Sequence, residues 1–398
     1  MLTRTPFDAL PGLTANQQAI GHGLEQGYGL DLASGAGTAF YTTLLTNQIT
    51  PGEVAAAYDA LGGEGVTGSQ QTTFAAASRF VEAMREQGAF WLSAGPQVAN
   101  LAALGDPPDV VSTRLGAGRV WVSASGAGAN LRSDSALGAA ALSTRSWGRA
   151  AGIEFATSPN ILIGLAGGGS GSSFSVSERG SNGSVGGGQL GIYALARSDG
   201  AYASGAFAWG HYGVGTTRSV SAFGLTGTNT GSFDTSVLTS RIEAGYVAET
   251  MFANVTPFAA LESSWLNLPS FVETPAAAGS PLLALNFSGK TATSVPTSLG
   301  LQLDRTAILE NGWSVAPYFR AAWLHEWNTT RSISADLLAA PGGFFGVAGS
   351  PASRNAARLT GSVKLAQAER FALFADVTAD LSGRGQAVAG NISVKLSW

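Results

Sequence analysis

The residue types that carry covalent or metal chemistry are sparse in this chain and poorly spaced for it. Its three histidines, His22, His211 and His325, lie far apart, and no HExxH pair occurs. Cysteine is absent, which excludes thiol catalysis, thiolate zinc sites and disulfides. No G-x-S-x-G nucleophile motif is present. Gly63-Glu64-Gly65-Val66-Thr67-Gly68 satisfies G-x-G-x-x-G, but it follows a helical pattern rather than a strand, so it reads as a linker. What remains is a set of charges at alternate positions in otherwise apolar or small stretches: Glu154, Arg241, Glu243, Glu262, Arg320, Glu326, Asp376, Asp380 and Lys395. Charge is costly toward lipid and tolerated toward a wet lumen. Their chemistry is that of a polar channel lining, with cross-strand pairing as the plainer use.

The elements that would hold such a lining are strands. From about Arg119 the texture becomes period-two alternation broken by Gly, Ser, Asn and Asp clusters. At the C-terminus Val388, Gly390, Ile392, Val394, Leu396 and Trp398 share one face, opposite Asn391, Ser393 and Lys395. Twelve such stretches centre near 123, 150, 163, 191, 206, 242, 260, 298, 320, 362, 376 and 393. They read as strands of up to about twelve residues, longer than the roughly five or six of a soluble sandwich. One face is apolar and the other is small and polar, with aromatics toward the strand ends. Short connections (Asp199-Gly200, Ala368-Glu369) interleave with long ones (267–288, 328–354). The expected fold is an all-β, twelve-stranded antiparallel barrel that crosses a membrane.

Composition agrees. Of 398 residues only 12% are charged, about half the usual share, and Gly, Ser, Thr and Ala take their place. A net charge of −4 without a basic cluster gives no nucleic-acid surface. No run of about 18 apolar residues offers a membrane helix. Residues 1–30 have no signal-peptide core, which leads to the expectation of a longer precursor.

The N-terminal 90 residues read as helical. Segments Ala15–Gln26, Thr38–Asn47 and one ending at Leu61 are expected, the last opened by the capping box Thr50-Pro51-Gly52-Glu53. A fourth helix, 70–87, carries Arg79, Phe80, Glu82, Arg85 and Glu86 around a narrow apolar stripe. That pattern suits a polar channel as well as a soluble domain.

Six segments in order resemble the C-terminal translocator of a single-chain autotransporter of type V secretion. Thr14-Ala15-Asn16-Gln17-Gln18-Ala19 resembles the family's T-x-N-Q-x-A opening. Ala57-Tyr58-Asp59-Ala60-Leu61-Gly62-Gly63-Glu64 with Ser78-Arg79-Phe80 resembles its ALDALSGE…SRF junction. Val120-Trp121-Val122 resembles the first barrel strand, and Ala322-Trp323-Leu324-His325-Glu326 the W-x-H-E strand. Leu381-Ser382-Gly383-Arg384-Gly385 resembles the last turn and Trp398 the terminal aromatic. The resemblance implies an outer-membrane barrel with a helix in its pore, exporting and anchoring its own passenger at the surface of a Gram-negative cell.

The implied divisions are 1–69, the helical stub of the passenger; 70–90, the pore helix; 91–118, a link; and 119–398, the barrel. The implied partners are outer-membrane lipid, the barrel assembly machinery, periplasmic chaperones and the passenger, with the barrel a monomer and no cofactor. Ile392, Val394, Leu396 and Trp398 match the C-terminal assembly signal. Some relatives cut themselves at an Asn-Asn pair, and this chain has none, so that activity is not expected. Two other readings stand beside this one: a free-standing porin-like or adhesive barrel with a periplasmic helical region, and a surface enzyme that includes residues 1–90.

Overall fold

The computed structural model describes residues 5–35, 37–46, 50–92, 118–276, 281–310, 312–367 and 370–397. Twelve long strands follow one another as an antiparallel meander. They are β1 (Gly118–Leu131), β2 (Leu142–Ser158), β3 (Ile161–Val176), β4 (Ser181–Ser198), β5 (Ala201–Ala222) and β6 (Leu225–Tyr246). Then come β7 (Asn254–Leu268), β8 (Lys290–Ser294 continuing as Pro296–Asp304), β9 (Trp313–Glu326), β10 (Asn355–Gln367), β11 (Phe371–Ser382) and β12 (Gly385–Ser397). The sheet closes on itself, because β12 pairs with β1 from Arg119↔Ser397 to Leu131↔Gly385. Closure leaves no edge whose backbone groups would need water.

The twelve alternating stretches are these twelve strands. Their length is the main difference from expectation: β5 and β6 each run 22 residues rather than about twelve. Their upper halves rise beyond what a bilayer needs and pack on the N-terminal helices, where the alternation continues against protein instead of lipid. For the same reason the connections do not strictly alternate in length. The tip of β5–β6 is only Phe223-Gly224, both with φ above zero, the requirement of a tight primed hairpin turn. Phe223 accepts that backbone because its ring is buried against Tyr58, centroids 6.3 Å apart.

Outward residues identify the solvent of the wall. Val122, Leu190, Ile192, Ile242, Leu301, Val377 and Ile392 are each at least 50% exposed, an apolar surface that only lipid would favour. Trp209 and Trp265 flank Leu238 in one hydrogen-bonded row, and with Trp147 and Trp323 they lie on the same outer surface, as interfacial aromatics do.

Among the described residues four α-helices precede the barrel: α1 (Ala15–Ser34), α2 (Thr38–Thr46), α3 (Pro51–Leu61) and α4 (Thr67–Leu92). The expected capping box forms at Thr50/Glu53, and a second one forms at Thr14/Gln17. The Glu53 carboxyl is held below its ordinary pKa by the Thr50 backbone N–H it accepts. Helix α1 runs well past Gln26, through Gly21, Gly23 and Gly27. A side chain at Gly23 would collide with the Gly343 carbonyl and its neighbours, and one at Gly27 with the Tyr41 hydroxyl, so close packing on the strand Ala340–Ala348 and on α2 outweighs the helix propensity lost. That strand belongs to a four-stranded sheet with Ser332–Leu337, Leu285–Phe287 and Phe271–Val272. The sheet is built from the two longest connections and covers the upper mouth.

Helix α4 spans 26 residues, about 39 Å at 1.5 Å per residue, and lies inside the barrel. Its face Phe80, Val81 and Met84 is buried with Tyr193, Ala166 and Ala208 of the wall. Glycines let it approach. A Cβ on Gly191 would lie 2.8 Å from the Met84 Cε and 3.0 Å from the Phe80 ring. Gly191→Val should therefore displace the helix, at about 1–3 kcal/mol for overpacking, read as a lower unfolding temperature in detergent. Gly361→Ala, whose new Cβ meets nothing within 4 Å, should leave that temperature nearly unchanged.

Candidate functional site

The helix leans on one wall, so the opposite side of the lumen stays open. A cavity of about 310 Å³ lies between the helix row Gln71, Ala75, Ser78, Glu82 and Glu86 and strands β1 and β10–β12. Spacing of three and four residues puts that row on one helix face. The cavity reaches the upper rim at Leu131, Ser353 and Ser382 and descends to Asp376 and Asn391. A smaller one, about 40 Å³, opens toward the lower rim and is lined by Arg85, Glu243, Arg320, Val247 and Asp304.

A layer of ion pairs separates the two. Glu243 accepts from Arg241 Nη2 at 2.9 Å, from Arg320 Nη2 at 2.7 Å and from the Tyr202 hydroxyl at 3.0 Å. Arg241 also reaches Glu262 at 3.3 Å. The Arg320 guanidinium sits 3.4 Å from the centroid of Phe258, so an aromatic face and a carboxylate hold it at once. From the helix, Glu82 and Arg85 add their own i,i+3 pair at 2.7 Å. Glu82, Arg241 and Glu262 line the upper cavity, while Arg85, Glu243 and Arg320 line the lower.

Nearer the lower rim Glu154, wholly buried, accepts from Lys395 Nζ at 2.6 Å and from the Tyr193 hydroxyl at 2.9 Å. Tyr193 in turn accepts from Trp121 Nε1 at 2.9 Å. Lys395 also donates to the Gln87 carbonyl of the helix at 3.4 Å, a cation near a helix C-terminus. Asn391 donates to Glu86 at 2.7 Å.

Glu154, Arg241, Glu243, Glu262, Arg320, Glu326, Asp376 and Lys395 all lie on inward faces with under 10% exposure. Of their pairs, Arg241–Glu262 joins neighbouring strands, Arg241–Glu243 lies along one strand, and Arg320–Glu243 and Lys395–Glu154 reach past intervening strands, while Glu82 and Arg85 pair along the helix. Glu326 differs from the rest. Its carboxylate accepts from the Val295 N–H at 2.8 Å and so satisfies the backbone where β8 breaks. Of the helix residues, Phe80 packs on the wall and Arg79 and Glu86 face the cavity.

A profile of the family described as Autotransporter beta-domain matches residues 120–378. The chain belongs to this family. The translocator domain of autotransporter NalP from Neisseria meningitidis is similar in structure, with a TM-score of 0.54 at 16% identity over 77% of this chain and 98% of that one. The β-domain of the Bordetella autotransporter BrkA gives 0.50 at 17% identity, over 70% and 98%. No curated protein sequence matches. The chain is thus an autotransporter translocator, an outer-membrane barrel of a Gram-negative bacterium for export of a passenger.

In this autotransporter barrel Ile392 and Leu396 point outward with about half their surface exposed, and Val394 lies between them opposite Val122 of β1. Trp398 lies outside the described residues, as do most of the link 91–118 and the Ala368-Glu369 turn. Several lumen residues escaped the sequence reading. Arg358, which holds Asp380 through bonds of 2.7 and 2.8 Å, shares the polar face of β10 with Thr360 and Ser362, and that alternation was its available signal. Tyr193 and Trp121 gave none, because an inward aromatic and a lipid-facing one look alike in sequence.

Removing Glu243 strands Arg320 and leaves Arg241 with Glu262. Glu243→Ala is expected to destabilise the barrel by about 3–5 kcal/mol and to raise single-channel conductance in planar bilayers. Asp380→Ala, whose partner Arg358 borders the open cavity, should change conductance far less. Equal conductance in both variants and the parent would show that the ion-pair layer does not seal the lumen.

Proposed function

We propose that the chain N-terminal to α4 is carried through this barrel to the cell surface, after which α4 stays behind as its plug. In this reading residues 1–69 form the base of the passenger on the outer face, 70–90 the pore helix, 91–118 the periplasmic link and 119–398 the anchor. Arg79, Glu82, Arg85 and Glu86 keep the helix compatible with a wet lumen, and Phe80 presses it to the wall. The outward row Ile392, Val394 and Leu396, with Trp398, serves the barrel assembly machinery as its docking signal, since an apolar-faced terminal strand is what a templating barrel would pair with. Periplasmic chaperones carry the unfolded strands there, and the finished barrel works as a monomer without catalysis.

The observation behind this reading is the direction of α4. Its N-terminal end lies at the rim of the long connections and its C-terminal end at the rim of the short turns, where β1 begins and β12 ends. Long connections face outward in bacterial barrels, which supports an outside location for everything before α4. A free-standing pore with a periplasmic helical region would reverse that.

A tag placed before Leu2, behind a supplied signal peptide, separates the two. External protease should remove it from intact cells while the barrel stays folded in the outer membrane. Protection until the outer membrane is breached, with an equally folded barrel, would defeat the export reading.

A further inference from the structure

The five residues 62–66 join α3 to α4 at the upper mouth, and three separate barrel connections converge on this junction and the helix ends beside it. Glu64 is 3% exposed. Its carboxylate accepts the Ala140 backbone N–H at 2.7 Å, from the β1–β2 connection. It also accepts Arg179 Nε at 2.8 Å, from the β3–β4 turn. Arg179 is itself held by Asp59 of α3 at 3.4 Å and by the Gly138 carbonyl at 2.6 Å. Burial raises the Asp59 and Glu64 carboxyls above their ordinary pKa against the pull of Arg179.

One turn earlier in the chain, the Ala60 carbonyl at the end of α3 accepts Arg218 Nη1 at 3.0 Å. Arg218 lies at the top of β5 and is fixed by Glu273 and by the Leu283 carbonyl of the β7–β8 connection. Gly63, at φ +66°, turns the chain there, with Leu285 and Phe287 close enough to exclude a Cβ.

Below this junction the helix is held by separate bonds: Gln70 donates to the Ser332 carbonyl at 2.7 Å, Gln71 accepts from Arg331 Nε at 3.1 Å, Glu86 from Asn391 at 2.7 Å and the Gln87 carbonyl from Lys395 at 3.4 Å. Phe80, Val81 and Met84 press it on small residues of the wall such as Ala166 and Gly191, contacts that are apolar, and most ion pairs of the lumen run strand to strand. A helix in a smooth tube can slip by a turn, about 5.4 Å, unless one end is fixed. A buried carboxylate bonded on two sides is lost only with its full desolvation cost.

We propose that Glu64, bound by Arg179 and the Ala140 N–H, together with Arg218 on the Ala60 carbonyl, is the stop that fixes the axial register of α4 once export ends. These are positioning residues: they decide which turn of the helix meets the Glu243 layer. The role at the end of export rests on the translocator reading above, whereas the register itself does not.

The chain has no cysteine, so a disulfide can report register. A Cβ on Gly88 would lie 3.8 Å from the Leu195 Cβ, within the range a disulfide bridges. Gly88→Cys with Leu195→Cys, in the full chain purified from outer membranes, should oxidise readily. Adding Glu64→Ala or Arg179→Ala should slow that oxidation by about tenfold, the scale of one charged hydrogen bond. Glu64→Gln, which keeps an acceptor for Ala140, should restore part of the rate.

Arg179→Ala leaves the Ala140 bond in place, so it serves as the comparison if Glu64→Ala fails to assemble. Parental oxidation rates in folded barrels carrying Arg179→Ala and Arg218→Ala would overturn the proposal. Cross-linking is read on the purified chain and does not depend on where the N-terminus lies, so the tag assay answers the export question separately.

Discussion

Hydrocarbon offers no hydrogen-bond partner, so every backbone N–H and C=O inside it must be paired by the protein. For a chain of strands that demand has one solution, closure, and here it falls on the ladder between β1 and β12. The first and last strands of the sheet are therefore neighbours. The rest follows from that ring. Alternate residues face lipid, which explains the exposed Leu, Ile and Val, and the others face a lumen too wide for small side chains to fill.

The lumen is filled by secondary structure instead. Helix α4 occupies it off-centre, because Gly191 and its neighbours on β3–β5 allow a close approach that larger residues would block. The opposite side remains a cavity rich in charge. Desolvated charges are stable only when paired, so the wall supplies its own partners: Arg241, Glu243, Glu262 and Arg320 in the middle, Glu154 and Lys395 below. A wall that satisfies its own charges presents few fixed points to whatever passes through it, consistent with a conduit for an extended polypeptide.

The upper mouth obeys a different rule. There the long strands, the mouth sheet and α1–α3 share one apolar core, with Ile20, Tyr58 and Leu61 buried beside Phe223, Phe287 and Val347. The α3–α4 junction crosses this core, and its polar groups find buried partners in Arg179, Ala140 and Arg218. A smooth lumen below and a tightly bonded collar above divide passage from anchorage between the two halves of the barrel.

Much of this was legible in the residues, and the reason is periodicity. Two-residue alternation marks a strand with two unlike faces, so the number of strands, their faces and the inward placement of Glu154, Arg241 or Lys395 could be read locally. Capping at Thr14 and Thr50 was equally local. What the residues alone left open depends on contacts between distant segments. Strand lengths were underestimated because β5 and β6 continue against protein. The extent of α1 was underestimated because its glycines are contact points with Gly343 rather than breaks. Glu64 stood in a recognisable junction, yet its partner Arg179 is 115 residues away. The Arg358–Asp380 pair needs the β10–β11 hairpin, the Trp121–Tyr193–Glu154 chain needs β1, β2 and β4 together, and the Lys395–Glu154 bond needs β12 closed on β1. Local spacing determines which way a side chain points from its strand; only the closed ring decides what it meets.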